Sequence, residues 1–227
     1  MRSELLETLR RTKFLQVALD FIDINDALVV ARKVSDLENV IIEAGTPLVK
    51  AEGIRGLLKL RELGKIVLAD TKTADAGDVE VEIAYRGRSN IMTVLGAMDD
   101  STVESAVKKA KELDILVQAD LIGVKNTVDR AKQLYSLGVD IVGFHIGLDV
   151  QRKRGVTVAD LKDEIRETGK YGIVSVAGGL SPKNINDLVE LPISIYVVGG
   201  AITKSNAPRK VAEEIIKILS TSTIATR

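Results

Sequence analysis

The sequence predicts a single (β/α)8 barrel, and three observations carry that reading. Eight apolar runs alternate with eight helical patterns over 227 residues, the length of a small barrel. The runs are continuous in Val, Ile and Leu, as in strands covered on both faces. A doubly wound sheet, the alternative, would more typically open with a glycine fingerprint after its first strand. Here the first strand runs into Leu19-Asp20-Phe21-Ile22-Asp23, without glycine. No linker or shift of composition divides the chain, so one domain is expected over 1–227, with a short N-terminal helix and a frayed tail from Ser220.

The elements follow in order. Phe14 to Leu19 is the first strand, and a helix from about Asn25 to Val34 is capped by Asp23 or Asn25. Val40 to Glu43 is the second strand; its helix lies near Ile54 to Leu63 and stops at Gly64. Lys65 to Ala69 is the third, followed by a helix ending near Arg86. Asn90 to Leu95 and Ile115 to Ala119 are the fourth and fifth strands, with helices near Ser101 to Glu112 and Thr127 to Leu137. Asp140 to Phe144 is the sixth strand, its helix spanning about Val158 to Thr168. Gly172 to Ala177 and Ile193 to Val198 are the last two, with helices near Pro182 to Val189 and Pro208 to Leu219.

Composition removes several classes of function. Lys plus Arg and Asp plus Glu are both 32, so no basic excess points to nucleic acid. Aromatic residues are 3% and Trp is absent, which leaves few stacking platforms for single strands. Without cysteine there is no disulfide, thiolate nucleophile or Cys-based zinc site, a usage that fits the cytoplasm. No apolar run is long enough for a membrane span, and Met1 to Glu7 reads as a charged helix rather than a signal peptide.

The polar residues collect at the strand ends. In order these carry Asp20, Glu43, Asp70 with Lys72, Gly96, Asp120, His145, Gly178-Gly179 and Gly199-Gly200. A barrel opens all its strands' C-terminal ends on one face, where active sites lie, so the ionisable groups from five or six strands are expected in one mouth. Asp70 and Lys72 share a face if their strand continues, while Asp75 lies in the turn. The carboxylate and the ammonium suit a metal ligand and a proton donor or electrostatic stabiliser; a surface ion pair beside a helix cap is the plainer account. Glu43 and Asp70, on neighbouring strands, suit Mg²⁺ clamped against two oxygens of an enediolate, unless Asp70 merely pairs with Lys72. His145, the only histidine, has the pKa range for proton transfer at neutral pH, although a lone histidine is often structural. The two Gly-Gly pairs sit where barrels bind phosphate, and could equally be tight turns. No Walker-type motif is present, so a sugar phosphate is favoured over a nucleoside triphosphate.

Asp70-Thr71-Lys72-Thr73-Ala74-Asp75 matches the Asp-x-Lys-x-x-Asp motif of the orotidine 5′-monophosphate decarboxylase suprafamily. Ala76 to Glu80 and Thr93 to Ala97 resemble its hexulose-phosphate branch, which holds a synthase (an aldolase) and a 3-keto-L-gulonate-6-phosphate decarboxylase. Asp120 to Val124 and His145 to Gln151 look more like the synthase; the decarboxylase pattern places Arg soon after the histidine, where Ile146, Gly147 and Leu148 stand. The resemblance runs from about Phe14 to Leu219. It implies a Mg²⁺-dependent aldolase that joins formaldehyde to ribulose 5-phosphate, or cleaves the product. Glu43 and Asp70 would bind the metal, Lys72 would sit near the enediolate, and His145 would transfer protons. Asp20 and Asp120 would contact substrate, and Gly178, Gly179, Gly199 and Gly200 would grip the phosphate. A homodimer with shared active sites is implied, Asp75 reaching the partner's site. Many relatives carry Arg where Gly200 stands, so the grip is expected to rest on backbone N–H groups, with or without another cation. The competing readings are the 3-keto-L-gulonate-6-phosphate decarboxylase, orotidine phosphate decarboxylation, against which Glu43 and His145 argue, and a non-catalytic sugar-phosphate binder.

Overall fold

A computed structural model describes residues 2–224. Helix α1 (Arg2–Arg11) precedes β1 (Phe14–Leu19), α2 (Ile24–Val34), β2 (Val40–Ala44) and α3 (Thr46–Arg61). Then come β3 (Ile66–Thr73), α4 (Gly77–Arg86), β4 (Ile91–Leu95), α5 (Asp100–Glu112), β5 (Leu116–Asp120) and α6 (Thr127–Ser136). The last third holds β6 (Ile141–His145), α7 (Leu148–Arg154), α8 (Lys162–Thr168), β7 (Ile173–Ala177), β8 (Ile195–Val198), α9 (Gly200–Thr203) and α10 (Pro208–Leu219). All eight strands pair in parallel with their sequence neighbours, and β8 closes on β1. The predicted (β/α)8 barrel is the observed fold.

Alternation along each strand sorts the core. In β1, Leu15, Val17 and Leu19 face the helices, while Phe14 joins the floor of the barrel and Gln16 and Ala18 line its mouth. The floor is a ring of Phe14, Ile41, Leu68, Ile91, Leu116, Ile141, Ile173 and Ile195, one residue from each strand, with Leu9 of α1 packed under it. Arg2 fastens α1 to the same end through Asp140 and the Ile115 carbonyl. Two residues further along each strand, the inward position comes into the mouth. Apolar residues thus seal one end of every strand, while polar ones furnish the other on six of the eight, Gly143 and Val197 standing there on β6 and β8.

Local chemistry sets the helix limits. Asp23 caps α2 by accepting from the Asn25 N–H at 2.7 Å, and Asp99 caps α5 through the Ser101 N–H at 2.9 Å. Helix α3 begins earlier than its periodicity predicts, at Gly45-Thr46-Pro47, with Pro in the first turn, and is kinked at Gly53. The helix expected from Pro182 to Val189 is instead one 3-10 turn, Ile185–Leu188. Pro182 and Pro192 bound the space, and the Asn184 side chain is spent on the Ser181 N–H and the Gly179 carbonyl. The tail expected to fray from Ser220 is docked through Ile224, which is buried, with Ser222 bonded to buried Lys13 and to the Val189 carbonyl. Residues 225–227 lie outside the described residues. No helix is long and apolar enough to cross a membrane among the described residues.

Candidate active site

A cavity of about 730 Å³ opens at the C-terminal ends of the strands. It collects ten of the residues singled out from the sequence: Asp20, Glu43, Asp70, Lys72, Asp120, His145, Gly178, Gly179, Gly199 and Gly200. Asp75 is not among its walls. It is exposed, and its carboxylate accepts from the Ala76 N–H at 2.7 Å.

Four side chains form a continuous hydrogen-bonded chain across three strands. Lys72 on β3 donates to Asp70 at 2.7 Å and to Asp120 on β5 at 3.0 Å. His145 on β6 places Nδ1 2.8 Å from the same Oδ2 of Asp120. The other Asp120 oxygen accepts from the Ile122 N–H at 2.8 Å, so the carboxylate cannot swing away. Asp70 is held equally firmly, by the Thr46 hydroxyl at 2.7 Å and the Thr93 hydroxyl at 2.8 Å.

Strand β3 reaches this geometry by a local irregularity. Its register with β4 shifts between Ala69 and Thr73, and Lys72 has a φ of +44°. A left-handed lysine costs on the order of 1 kcal/mol. The Thr93 hydroxyl accepts from the Lys72 N–H at 2.9 Å and holds the bulge in place. The bulge aims Lys72 between two carboxylates on different strands.

The electrostatics follow from burial and crowding. Burial would raise the Asp120 carboxyl, but the hydrogen bond and charge of His145, with Lys72 beside it, bring it down to about 2. Burial alone would lower Lys72; Asp70 and Asp120 together outweigh it and hold the ammonium well above the ordinary lysine range. Glu43 on β2 is pushed up to about 8, first by burial and then by the Asp70 charge, against a 2.6 Å hydrogen bond from Gln16. Asp20 at the rim is also raised, by desolvation and then by Asp70. Gly45 makes room for it: a Cβ there would stand 2.2 Å from the Asp20 carboxylate.

Among the described residues no group of three or more His, Asp and Glu side chains converges on a metal position. Two carboxylates that repel each other nonetheless stand on adjacent strands, and the buried Oε1 of Gln16 beside Glu43 has no hydrogen-bond partner. Hard oxygen donors whose mutual repulsion a cation would relieve fit a divalent ion such as Mg²⁺ bound partly by substrate oxygens.

The glycine turns differ from each other. Gly178 and Gly179 have φ of +121° and +74°, and a Cβ on Gly178 would sit 2.7 Å from the Ile146 carbonyl. That pair is required by the chain path. Gly200, the first residue of α9, has no positive φ.

Sequence reading missed the layer below the ionic groups: Gln16, Thr93, Gln118 and Ser175, which line the same cavity, and Lys204 at its rim. The signal was present for the strand residues. Counting back by two from Asp120 gives Gln118, a buried polar residue on the inward face.

The chain and its barrel have counterparts among known proteins. The 3-hexulose-6-phosphate synthase of Mycobacterium gastri is 39% identical over 204 residues, spanning 88% of this chain and 97% of that relative. The same-named protein of Bacillus subtilis is 33% identical over 207 residues, spanning 90% and 98%. A crystal structure of 3-hexulose-6-phosphate synthase, 38% identical, superposes with a TM-score of 0.86 over 91% of this chain and 99% of that one. Residues 13–215 match the family model described as orotidine 5′-phosphate decarboxylase / HUMPS. With its closed parallel barrel and the Asp70, Lys72, Asp120 and His145 chain at the mouth, this protein is an enzyme that belongs to the orotidine 5′-phosphate decarboxylase / HUMPS family.

Proposed function

We propose that the protein is a Mg²⁺-dependent aldolase that joins formaldehyde to D-ribulose 5-phosphate, giving D-arabino-hex-3-ulose 6-phosphate. The observation that carries this reading is the Asp120-oriented His145 beside a lysine clamped between two carboxylates. It is supported by relatives named 3-hexulose-6-phosphate synthase over about nine-tenths of the chain.

Asp120 accepts from His145 Nδ1–H and so leaves Nε2 as the base. Nε2 takes a proton from C1 of ribulose 5-phosphate, and the C–H electrons move into the C1–C2 bond to form an enediolate. Lys72 stands beside the new negative charge and stabilises it without reorganising. C1 then attacks the carbonyl carbon of formaldehyde, and the protonated His145 returns its proton to the formaldehyde oxygen. One C–C bond forms and the proton count closes. Asp120 stabilises the imidazolium between the two transfers. Glu43 and Asp70 would hold the Mg²⁺, which would supply Lewis-acid charge to the enediolate when bound. Asp20 would contact the sugar hydroxyls. Asp75, in the loop before α4 and outside its own cavity, would serve the mouth of a second copy in a homodimer, where Val79 of α4 is also exposed.

The direct test is consumption of ribulose 5-phosphate with and without formaldehyde, with CO₂ release from 3-keto-L-gulonate 6-phosphate followed in parallel. Formaldehyde-dependent consumption supports the aldolase; faster CO₂ release would replace it with the decarboxylase. The metal assignment has a readout apart from activity. Saturating Mg²⁺ at about 100 times its Kd stabilises the fold by about 2.7 kcal/mol, roughly 5–10 °C in Tm for a chain of this size. In Glu43→Gln this Mg²⁺-dependent shift is expected to fall below about 2 °C by the same conversion. An undiminished shift removes Glu43 from the metal.

A further inference from the structure

We infer that Lys204 is the cation that holds the substrate's phosphate at the β8 end of the mouth. The assignment rests on the sugar-phosphate reading above and names the residue that decides it. The charges of the cavity are its first support. Asp20, Glu43, Asp70 and Asp120 put four carboxylates on the walls. Lys72 is engaged by two of them, at 2.7 and 3.0 Å. Among the described residues Lys204 lines the same cavity and forms no ion pair. A phosphate monoester carries close to two negative charges at neutral pH. Asp20 reaches the β8 turn, its Oδ2 3.6 Å from a Cβ built on Gly199, so a phosphate held there needs a cation, and Lys204 is the lysine of this cavity that is not already paired.

The shape of the last turn is the second support, and it is independent of charge. Gly200 has no positive φ, so the chain path does not demand glycine there. A Cβ built on Gly200 would meet Lys204 alone, at 3.8 Å from Cδ and 3.9 Å from Cε. The lysine stem therefore lies along the open side of Gly200, and its ammonium is one bond further on. Gly200 and Ala201 also present the first N–H groups of α9, which have no partner within that helix. At four residues, α9 sums too few peptide dipoles to hold a dianion by itself. The opposite loop offers less: the Ser181 N–H is already taken by the Asn184 side chain at 2.9 Å. The Lys204 stem thus carries its ammonium past the open side of Gly200, at the rim of the cavity.

The test compares the wild-type protein with Lys204→Met and Lys204→Arg. Calorimetry measures binding of inorganic phosphate and of ribulose 5-phosphate, and steady-state kinetics measures kcat/KM. In Lys204→Met, both affinities and kcat/KM are expected to fall roughly 10- to 100-fold, the size of a lost charge-assisted hydrogen bond. Lys204→Arg is expected to recover most of the loss, and circular dichroism confirms that each variant is folded. Affinities of Lys204→Met within twofold of wild type overturn the assignment. Should the wild type consume no formaldehyde, the aldolase reading fails; the calorimetric comparison still decides whether Lys204 binds phosphate.

Discussion

Lys72→Ala is expected to lower kcat/KM for formaldehyde-dependent consumption of ribulose 5-phosphate by roughly 10³-fold, chiefly through kcat. Lys72 donates to Asp70 and Asp120 at 2.7 and 3.0 Å, and both carboxylates keep it protonated across the working pH range. It is thus a fixed positive charge at the place where the enediolate forms, and no water can replace it without reorganising. The ground state needs that charge less than the transition state, so substrate affinity changes less than turnover. Lys72→Arg is expected to restore little. The left-handed bulge in β3 places a compact ammonium between two oxygens, and a planar guanidinium does not fit that position. Steady-state kinetics of both variants checks this, and kcat within about tenfold of wild type for Lys72→Ala would remove Lys72 from the chemistry.

The second large effect is expected at Asp120. Asp120→Asn keeps the shape but can no longer stabilise an imidazolium, so kcat is expected to fall by about 10²- to 10⁴-fold. The same variant changes the acid stability of the fold. The Asp120 carboxyl lies at about 2 in the folded protein against 3.8 for the unfolded chain. Its folded value is depressed, so its contribution is fully present above about pH 4 and is lost as pH falls towards 2. The gap of nearly two pKa values corresponds to about 2 kcal/mol for this buried group. Urea unfolding of wild type and Asp120→Asn should show a stability difference that is present at pH 5 and narrows below pH 4. A difference independent of pH down to 2.5 would mean that Asp120 is not held ionised by His145 and Lys72.

Much of the barrel was legible because its signals are local. Eight aliphatic runs and the spaced glycine stops fix the order of elements, and closure follows once every strand is parallel and adjacent to the next. Asp20, Glu43, Asp70, Asp120 and His145 were legible as site residues because each ends an apolar run, and a barrel brings all such ends to one face. Three things were not legible. The bulge at Lys72 depends on the Thr93 hydroxyl of the next strand, a contact that no spacing within β3 encodes. The helix expected from Pro182 failed because the Asn184 side chain captured backbone groups that a helix would have used. Lys204 lies five residues beyond Gly199, in a segment with no periodic signal, and only the fold of α9 returns it to the mouth.

The most direct measurement of the central claim is exchange of the C1 protons of ribulose 5-phosphate in deuterated buffer, followed by NMR with Mg²⁺ present and formaldehyde absent. An enediolate formed by His145 and stabilised beside Lys72 predicts exchange at C1 in the wild type, at a rate at least equal to turnover. It also predicts loss of exchange in His145→Gln and Lys72→Ala. Formaldehyde-dependent turnover without any C1 exchange in its absence, or undiminished exchange in both variants, would contradict it.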